Sequence, residues 1–352
     1  MKEIMLGRKK VGGNEPCFVI AEIGHNHQGN LELCKEMFRR AKECGADAVK
    51  LQKRNNKELY TSKYYNRPYE NENSFGLTYG EHREHLEFDR DEYIELIKYA
   101  NELDIFFFAT AFDFSSVDFL QEIGMPAFKF ASGDIKNIPL LEYAAKFNKP
   151  MIISTGASIE EDVERAYKAI HKYNDKIVIM QCTSGYPAQF EQLDIKVIPS
   201  WTKKYSDAVI GWSSHDGGIA MATVACALGA KVIEKHFTLD RSMKGTDHCF
   251  SLEPTGMRKM CRDIHRCEVA LGDGNKKLYK SESTALDKQG KALYFLHDFE
   301  KGHVIEKGDI VIKSPGGGIP PYKMNNFIGT TLLQNVLSEQ LVTEDVVEVH
   351  NR

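Results

Sequence analysis

The chain has 352 residues, of which 42% are hydrophobic and 27% are charged, a composition typical of a protein with a large core. This length accommodates one α/β barrel plus a small second domain. The formal net charge of −4 and the pI near 6.3 give no general attraction to nucleic acid or to an anionic membrane, and we expect neither partner. No stretch approaches the roughly 18 apolar residues of a membrane span. Any anionic ligand must therefore be held by locally placed cations.

Cysteine usage and the first residues both indicate a cytoplasmic protein. The eight cysteines form no Cys-x-x-Cys pair and are scattered over positions 17, 34, 44, 182, 226, 249, 261 and 267. Disulfide frameworks are typical of small secreted domains, so in a chain of this length we interpret the cysteines as reduced thiols. The opening MKEIMLGRKK carries charges but no apolar run behind them, which is not the pattern of a secretory signal.

Short apolar runs alternate with amphipathic helical stretches over most of the chain. Eight runs have strand character, at 17–23, 48–52, 105–110, 127–132, 151–154, 177–182, 208–213 and 231–236. Between them, stretches such as 31–45 and 91–103 repeat apolar residues three and four positions apart, as amphipathic helices do. Eight strand–helix units favour a closed parallel (β/α)₈ barrel. The alternative is an open doubly wound sheet, but no glycine-rich dinucleotide loop follows the first strand.

Two segments interrupt this alternation. Residues 55–88 are polar and rich in Tyr and Asn, and a connection of this length between two barrel strands is usually a functional loop. Residues 273–290 are rich in Lys and Ser, and beyond them short strand patterns and frequent glycines follow, including SPGGGIPP. We therefore predict a barrel domain over 1–272, a linker over 273–290 and a small β-rich domain over 291–352.

Nearly every predicted strand ends in a polar group, at the edge where such a barrel carries its active site. Side chains alternate between the faces of a strand, which places Lys50 with Gln52, and Glu234 with His236, on common faces. The polar residues at these ends are Glu22, Lys50, Gln52, Thr110, Lys129, Ser132, Ser154, Tyr186, Ser213, His215, Glu234 and His236. Their convergence indicates an enzyme with an anionic substrate.

The residue types suggest how such a substrate would be held. Lys50 and Lys129 inside a barrel need anions, because an isolated buried ammonium is heavily penalised, and a ligand with a phosphate and a carboxylate would meet both. His215 and His236, at adjacent strand ends, would share one divalent metal that polarises a carbonyl. A structural role stays open for each residue type. The lysines would extend their ammonium groups to solvent or pair with structural carboxylates, and the histidines would be hydrogen-bonded structural residues. The Ser and Thr residues would be helix caps.

A set of segments, in order and at barrel spacing, resembles the sialic acid synthase family over essentially the whole chain. The segments are AEIGHNHQGN (21–30), GADAVKLQK (45–53), FKFASGD (128–134), IISTGA (152–157), QCTSGYP (181–187), GWSSHD (211–216), EKHFTLD (234–240), KGTDHCFSLEP (244–254) and PGGGIPP (315–321). The resemblance implies a (β/α)₈ TIM barrel followed by a small antifreeze-like (SAF) domain. It also implies a transferase that condenses phosphoenolpyruvate with an amino-sugar aldehyde, such as N-acetylmannosamine, and releases phosphate.

Residue roles follow from this resemblance. His215 and His236 match the family's ligands for a divalent metal, Mn²⁺ or Mg²⁺. The groups that hold phosphoenolpyruvate are matched by Lys50, Thr110, Lys129, Ser132, Ser154 and Ser213. Positions that contact the sugar or the reacting atoms are matched by Glu22, Gln52, Tyr186 and Asp247. Asp134 stands where some members have Glu. The predicted catalytic residues are Glu22, Lys50, Lys129 and Asp134.

The resemblance further implies a domain-swapped homodimer, in which the tail covers the barrel mouth of the partner subunit. Many bacterial members carry an Arg before the Pro-Gly motif of the tail, where this chain has Ser314, so we expect weaker recognition of an N-acetyl group. Residues 67–88 resemble the animal-type branch, which uses sugar 6-phosphates, and His82, Arg83 and His85 are available to meet such a phosphate. A solvated loop face is the alternative. Between a free and a 6-phosphorylated acceptor, the sequence slightly favours the free sugar.

Two rival functions fit parts of the sequence. A Schiff-base aldolase would use Lys50 or Lys129 as a covalent nucleophile and would need no metal. A carbohydrate- or ice-binding protein is suggested by the tail alone. Such a protein needs neither the in-barrel lysines nor the strand-end histidines.

Overall fold

A computed structural model describes residues 2–348. The chain divides into two compact units, a larger one that ends at Gly272 and a smaller one that begins at Asp273. The segment 273–290, predicted as a linker, groups with the smaller unit and contains a short helix. No helix within the described residues is long and apolar enough to cross a membrane.

The larger unit contains a closed parallel barrel of eight strands, which confirms the fold predicted from the alternating pattern. An antiparallel hairpin of β1 (Glu3–Leu6) and β2 (Lys9–Gly12) precedes the barrel. The barrel strands follow one another in sequence order, and the last pairs with the first, which excludes an open sheet. They are β3 (Phe18–Gly24), β4 (Ala48–Lys53), β5 (Phe106–Ala111), β6 (Phe128–Phe130), β7 (Met151–Ser154), β8 (Ile177–Cys182), β9 (Val209–Ser214) and β10 (Val232–His236).

Helices lie between the strands, and the longer ones bury an apolar face. In the first helix, Met37 and Phe38 are fully buried, and Asn30 caps the N-terminus by accepting from the Leu33 amide at 2.9 Å. The helices are α1 (Leu31–Glu43), α2 (Asn56–Leu59), α3 (Ser62–Tyr65), α4 (Tyr79–His85), α5 (Arg90–Glu102), α6 (Phe114–Glu122), α7 (Ile138–Ala145), α8 (Glu160–His171), α9 (Val197–Lys204), α10 (Ala220–Ala227) and α11 (Pro254–Leu271).

The long connection between β4 and β5 contains α2, α3 and α4 and has a small aromatic core of its own. Tyr69 packs on Tyr79 and His82 with ring centroids 5.2 and 4.6 Å away. A reciprocal capping box of Thr78 and Glu81 starts α4. The side chain of Asn73 accepts from the Gly245 amide at 2.9 Å, which ties this connection to the segment after β10. The segment predicted as a functional loop is therefore a structured flap at the end of the barrel strands.

The smaller unit has its own apolar core. Its helix α12 (Ser283–Gln289) precedes two antiparallel strands, β11 (Ala292–Phe295) and β12 (Ile310–Lys313). Ser314 is exposed, and its hydroxyl donates to the Gly290 carbonyl at 2.9 Å. The core residues are Leu293, Phe295, Ile305, Ile310, Phe327, Leu332, Val336, Val342, Val346 and Val347.

Strand register determines which polar ends become neighbours. Glu22 lies opposite Lys50 on one side and His236 on the other. Thr110 lies between Gln52 and Lys129 in the same way. Most strand boundaries differ from the prediction by at most one residue, and the largest difference is at β6. This strand ends at Phe130, so Ser132, predicted as its last residue, begins a 3₁₀ turn over Ser132–Asp134.

Candidate active site

The lysine of β4 is paired inside the barrel. Lys50 Nζ lies 2.7 Å from Glu22 Oε2 and donates to Thr110 Oγ1 at 2.7 Å. The other carboxylate oxygen of Glu22 accepts from Gln52 Nε2 at 2.7 Å. Glu22, Lys50 and Thr110 are at most 2% exposed. Side chains from three adjacent strands therefore form one buried polar network.

The lysine of β6 has a second set of partners. Lys129 Nζ donates to Ser154 Oγ at 2.5 Å and to the Phe130 carbonyl at 3.1 Å, and it lies 3.9 Å from Glu234 Oε1. The same oxygen of Glu234 accepts from Ser213 Oγ at 3.1 Å. The sequence places Glu234 among the polar strand-end residues, in phase with His236, but assigns it no role. The structure adds it as the carboxylate partner of Lys129.

Two ammonium groups thus share two carboxylates in the barrel interior. Burial raises the pKa of Glu22, and Lys50 offsets only part of that rise. Burial would also raise the pKa of Glu234, but the charges of Lys129 and Lys50 outweigh the effect of burial and lower this pKa to about 2. Burial lowers the pKa of Lys129, which Glu234 opposes. The buried lysines therefore do not by themselves require a bound anion, because internal carboxylates already supply the counter-charge. An anionic ligand would compete with these carboxylates for the ammonium groups.

A group of serine hydroxyls lies beside this network. Ser132 Oγ accepts from the Gly156 amide at 2.9 Å. A Cβ at Gly156 would lie only 2.1 Å from Ser184 Oγ, so glycine alone fits between the two hydroxyls. Ser184 Oγ is buried and has no hydrogen-bond partner within residues 2–348. The Ser132 hydroxyl donates weakly to Cys182 Sγ at 3.6 Å, whereas the Ser184 hydroxyl is available for an oxygen of an anion, so Ser184 extends the predicted set.

The two strand-end histidines face each other. Their ring centroids lie 5.3 Å apart, and Tyr186 packs on His215 at 4.1 Å. His215 Nδ1 lies 3.0 Å from the Thr183 carbonyl, so it carries the proton and leaves Nε2 as an acceptor. Burial and the neighbouring His236 lower the pKa of His215 to about 4. Burial likewise lowers the pKa of His236. Both rings are therefore neutral at pH 7, the form that binds metal.

These two imidazoles fit a divalent metal as two of its ligands. His236 Nδ1 is buried without a hydrogen-bond partner among the described residues and lies 3.8 Å from Asp247 Oδ2. No group of three or more His, Cys, Asp or Glu residues within the described part of the chain is arranged to hold a metal. A divalent metal held by these two nitrogens would need its other ligands from substrate and water.

Three predicted site residues lie at the rim, outside the buried network. Tyr186 is 57% exposed and covers His215. Asp247 belongs to the segment after β10 and is partly buried. Asp134 accepts from Asn137 Nδ2 at 3.2 Å through Oδ1, and burial raises its pKa to about 6. A carboxyl with this pKa exchanges protons readily near neutral pH.

Hydrogen bonds continue from the buried network to the flap. Gln52 Oε1 accepts from Arg54 Nη2 at 2.6 Å, and Arg54 Nη1 lies 2.9 Å from His25 Nε2. On the other side of the imidazole ring, Arg83 Nη1 lies 3.1 Å from His25 Nδ1. The sequence predicts Gln52 and Arg83 but misses Arg54 and His25, although Arg54 continues the face shared by Lys50 and Gln52.

The other two flap residues predicted to meet a phosphate have structural contacts. His82 is buried, and its Nδ1 accepts from the Phe75 amide at 3.2 Å. His85 is exposed and stacks on Phe75 with ring centroids 4.9 Å apart. Of the three, only Arg83 reaches the polar groups at the barrel mouth.

Comparison with known proteins identifies the family of this chain. The model of the NeuB family matches residues 37–276. The chain belongs to the NeuB family. N-acetylneuraminate-9-phosphate synthase from Homo sapiens is 41% identical over 343 residues, which cover 97% of this chain and 96% of the human protein. N,N'-diacetyllegionaminic acid synthase from Campylobacter jejuni is 37% identical over 335 residues, 93% of this chain and 98% of that one. The predicted family resemblance is thereby confirmed.

Solved structures support the same assignment for this NeuB-family chain. N-acetylneuraminic acid (sialic acid) synthetase from Leptospira borgpetersenii, crystallised with citrate, gives a TM-score of 0.71 at 34% identity and covers 81% of this chain and 95% of that chain. Spore coat polysaccharide biosynthesis protein SpsE from Bacillus subtilis gives 0.67 at 29% identity and covers 99% of this chain and 100% of that chain. The second similarity extends over both the barrel and the tail.

Proposed function

We propose that this protein is a nonulosonate synthase that condenses phosphoenolpyruvate with a hexosamine aldehyde and releases phosphate. The observation that carries the proposal is the juxtaposition, at one barrel mouth, of two buried lysines, a row of hydroxyls and two facing neutral imidazoles. The human and Campylobacter relatives named above are synthases of nine-carbon sugar acids or of their phosphates. This NeuB chain has the groups that such a condensation needs.

Phosphoenolpyruvate would bind in the lysine network. Lys50 and Lys129 would hold its phosphate and carboxylate, partly replacing their contacts with Glu22 and Glu234. The hydroxyls would donate to the remaining oxygens, and they are those of Thr110, Ser132, Ser154 and Ser213. Side chains of neighbouring strands fix the two lysines. Their ammonium groups therefore need little rearrangement as charge develops on the substrate.

His215 and His236 would hold Mn²⁺ or Mg²⁺, which when bound supplies Lewis-acid polarisation of the sugar aldehyde. His215 would use Nε2, since Thr183 fixes its proton on Nδ1. Tyr186 packs over His215 and would limit access of water to the aldehyde. Gln52 and Asp247 would contact the hydroxyls of the sugar.

The reaction follows from these positions. C3 of phosphoenolpyruvate bonds to the aldehyde carbon, positive charge develops at C2, water adds there, and the tetrahedral intermediate loses phosphate by C–O cleavage. The proton from this water needs an acceptor, and Asp134 is better placed than Glu22. Glu22 contacts Lys50 through one oxygen and Gln52 through the other, whereas Asp134 has one hydrogen-bonded oxygen among the described residues and a pKa of about 6.

We infer further that the protein is cytoplasmic and acts as a domain-swapped homodimer with an antifreeze-like tail. All eight cysteines are free, which suits a reducing compartment. The similarity to SpsE covers 99% of the chain, so the tail is shared with that relative. Sedimentation of the intact protein tests the dimer: a monomer at micromolar concentration contradicts it.

A phosphate-release assay with phosphoenolpyruvate and a panel of aldehyde sugars tests the proposed function. We expect release that depends on N-acetylmannosamine or a related hexosamine and that stops when metal is removed. A Schiff-base aldolase would behave differently, because borohydride would then trap Lys50 or Lys129 with a ketone substrate. Covalent trapping combined with metal-independent turnover would overturn the proposal.

A further inference from the structure

A buried ion pair lies next to the two facing histidines in the chain. Lys235 Nζ lies 2.9 Å from Asp216 Oδ1, and the two side chains are at most 2% exposed. Lys235 precedes His236 on β10, and Asp216 follows His215 after the end of β9. The proposed reaction gives neither member of this pair a role.

Alternation along β10 directs the Lys235 side chain away from the barrel interior. Glu234 and His236 belong to the inward face, so the residue between them points outward. Its ammonium group lies 5.8 Å from the centroid of the Trp212 ring, which is buried and precedes the inward Ser213 on β9. The barrel wall therefore separates the ion pair from the substrates, and any effect on the reaction must pass through neighbouring residues.

The lysine holds the backbone of Asp216 as well as its carboxylate. Lys235 Nζ donates to the Asp216 carbonyl at 2.7 Å. The backbone ladder between β9 and β10 ends at the pair Ser214–Lys235. The Lys235 side chain thus continues the connection between these strands two residues further, past His215. One ammonium group therefore joins the segment that carries His215 to the strand that carries His236.

The chain after Asp216 is loosely packed. Gly217 and Gly218 follow it, and no heavy atom lies within 4 Å of the place where a Cβ of either residue would stand. The other contacts of His215 come from the loop after β8: its Nδ1 lies 3.0 Å from the Thr183 carbonyl, and its own carbonyl accepts from the Ala188 amide at 3.2 Å. Those contacts hold His215 to β8, whereas Lys235 holds its segment to β10.

The energetics of buried charges indicate that this pair does more than stabilise the barrel. Desolvation offsets most of the attraction between two buried charges, so an apolar pair of similar volume often gives equal or greater stability. The geometry of Lys235 fixes the relative position of two chain segments, because a single ammonium group meets both a carbonyl and a carboxylate of Asp216. Two metal ligands on different strands need such a fixed relation.

We propose that Lys235 and Asp216 are positioning residues that set the distance between His215 and His236 for the binding of one divalent metal. This inference rests on the proposed function, which assigns the two imidazoles to the metal. A functional site tolerates errors of only about 0.5 Å in the position of its groups. Without the ion pair the segment after β9 is free to shift, so the metal binds more weakly although both histidines remain.

Titration calorimetry with Mn²⁺ on the intact protein tests the proposal, with the Tm measured beside it. Lys235→Met removes the ammonium group and should weaken Mn²⁺ binding by about 10- to 100-fold. Asp216→Asn keeps an acceptor for the lysine and should weaken binding by less. The matched control is Asn174→Ala, which removes a buried hydrogen bond to the Lys149 carbonyl at the opposite end of the barrel. This control should lower the Tm and leave Mn²⁺ affinity unchanged.

A double variant separates positioning from stability. Lys235→Met combined with Asp216→Leu removes both charges and leaves no uncompensated charge in the core, so the Tm should return to within about 5 °C of the parent. Mn²⁺ binding should nevertheless stay at least about tenfold weaker than in the parent, because no ammonium group joins the two segments. Recovery of the affinity together with the Tm would show that the pair serves stability alone, and would overturn the proposal.

The remaining outcomes distinguish this inference from the proposed function. If the parent binds Mn²⁺ and Lys235→Met binds it equally well, the positioning role is wrong and the metal site stands. An equal loss of affinity in Asn174→Ala would attribute the effect to stability and would also overturn the inference. If the parent binds no Mn²⁺, the metal site of the proposed function fails, and the inference fails with it. Should Lys235→Met unfold, Asp216→Asn and the double variant decide the question.

Discussion

Burial of the Asp134 carboxyl raises its pKa from 3.8 to about 6. The folded state therefore keeps the proton to higher pH than the unfolded state, and the group costs stability as pH rises through this interval. Asp134→Asn should raise the free energy of unfolding at pH 8 by about 1–2 kcal/mol, change it little at pH 3.5, and abolish most turnover. Urea denaturation at both pH values and phosphate release check this.

An exposed aspartate provides the control for this measurement. Asp175 pairs with Lys2 at 2.6 Å, and that contact lowers its pKa, so Asp175→Asn should not stabilise the protein at pH 8. Retention of full turnover by Asp134→Asn would show that another group handles the proton.

The facing histidines lead to a prediction about metal. His215→Ala or His236→Ala should weaken Mn²⁺ binding by at least about tenfold and remove turnover without unfolding the barrel. His171→Ala is the control, since His171 lies on the outer helix α8 with a side chain 40% exposed. Titration calorimetry measures the binding. Full turnover of the metal-stripped protein would contradict a role for metal.

The sequence could predict which strand-end residues meet, but not every partner. Alternation along β4 places Lys50 and Gln52 on one face, and the structure joins both to Glu22. The partners of Glu234 and Arg54 were not predicted, because they come from other strands or from the flap, and single-strand periodicity carries no information about such pairs. For the same reason, nothing in the sequence separated the inward Arg83 from its structural neighbours in the flap.

Helix α4 of the flap presents Arg83 and depends on a capping box. Thr78→Ala removes the side-chain acceptor for the Glu81 amide, which lies 3.2 Å away, and should cost about 1 kcal/mol of local stability. Because the flap has its own aromatic core, hydrogen exchange over 67–88 should quicken while the global Tm changes little. Glu70→Ala, an exposed change in the same segment, is the control. Unchanged exchange in this segment would show that the cap does not hold the flap.

Strands were easier to predict than their ends. Each of the eight predicted runs overlaps a barrel strand, because runs buried on both faces are nearly continuous in apolar residues. The predicted end of β6 was wrong because Ser132 belongs to a 3₁₀ turn. Turn boundaries depend on tertiary contacts, such as the hydrogen bond that Ser132 Oγ accepts from the Gly156 amide. The helix within 273–290 was missed since that stretch lacks an apolar face.

The division of the molecule into two units leads to a truncation test. The barrel core is formed entirely by residues before Gly272. A protein ending at Gly272 should therefore melt cooperatively, within about 5 °C of the parent barrel transition. It should lose at least about tenfold in turnover and sediment as a monomer if the tail serves the partner subunit. Unchanged kinetics would show that the tail has no catalytic role.

The fate of the bridging oxygen of phosphoenolpyruvate tests the proposed reaction most directly. Phosphoenolpyruvate labelled with ¹⁸O in its C–O–P bridge is incubated with N-acetylmannosamine and, separately, with its 6-phosphate, and the products are weighed by mass spectrometry. C–O cleavage at this barrel mouth predicts that the released phosphate carries the label and that an unlabelled nine-carbon acid forms in equal amount. Label retained at C2 of the acid, or the absence of any sugar-dependent phosphate release, would contradict the proposed function.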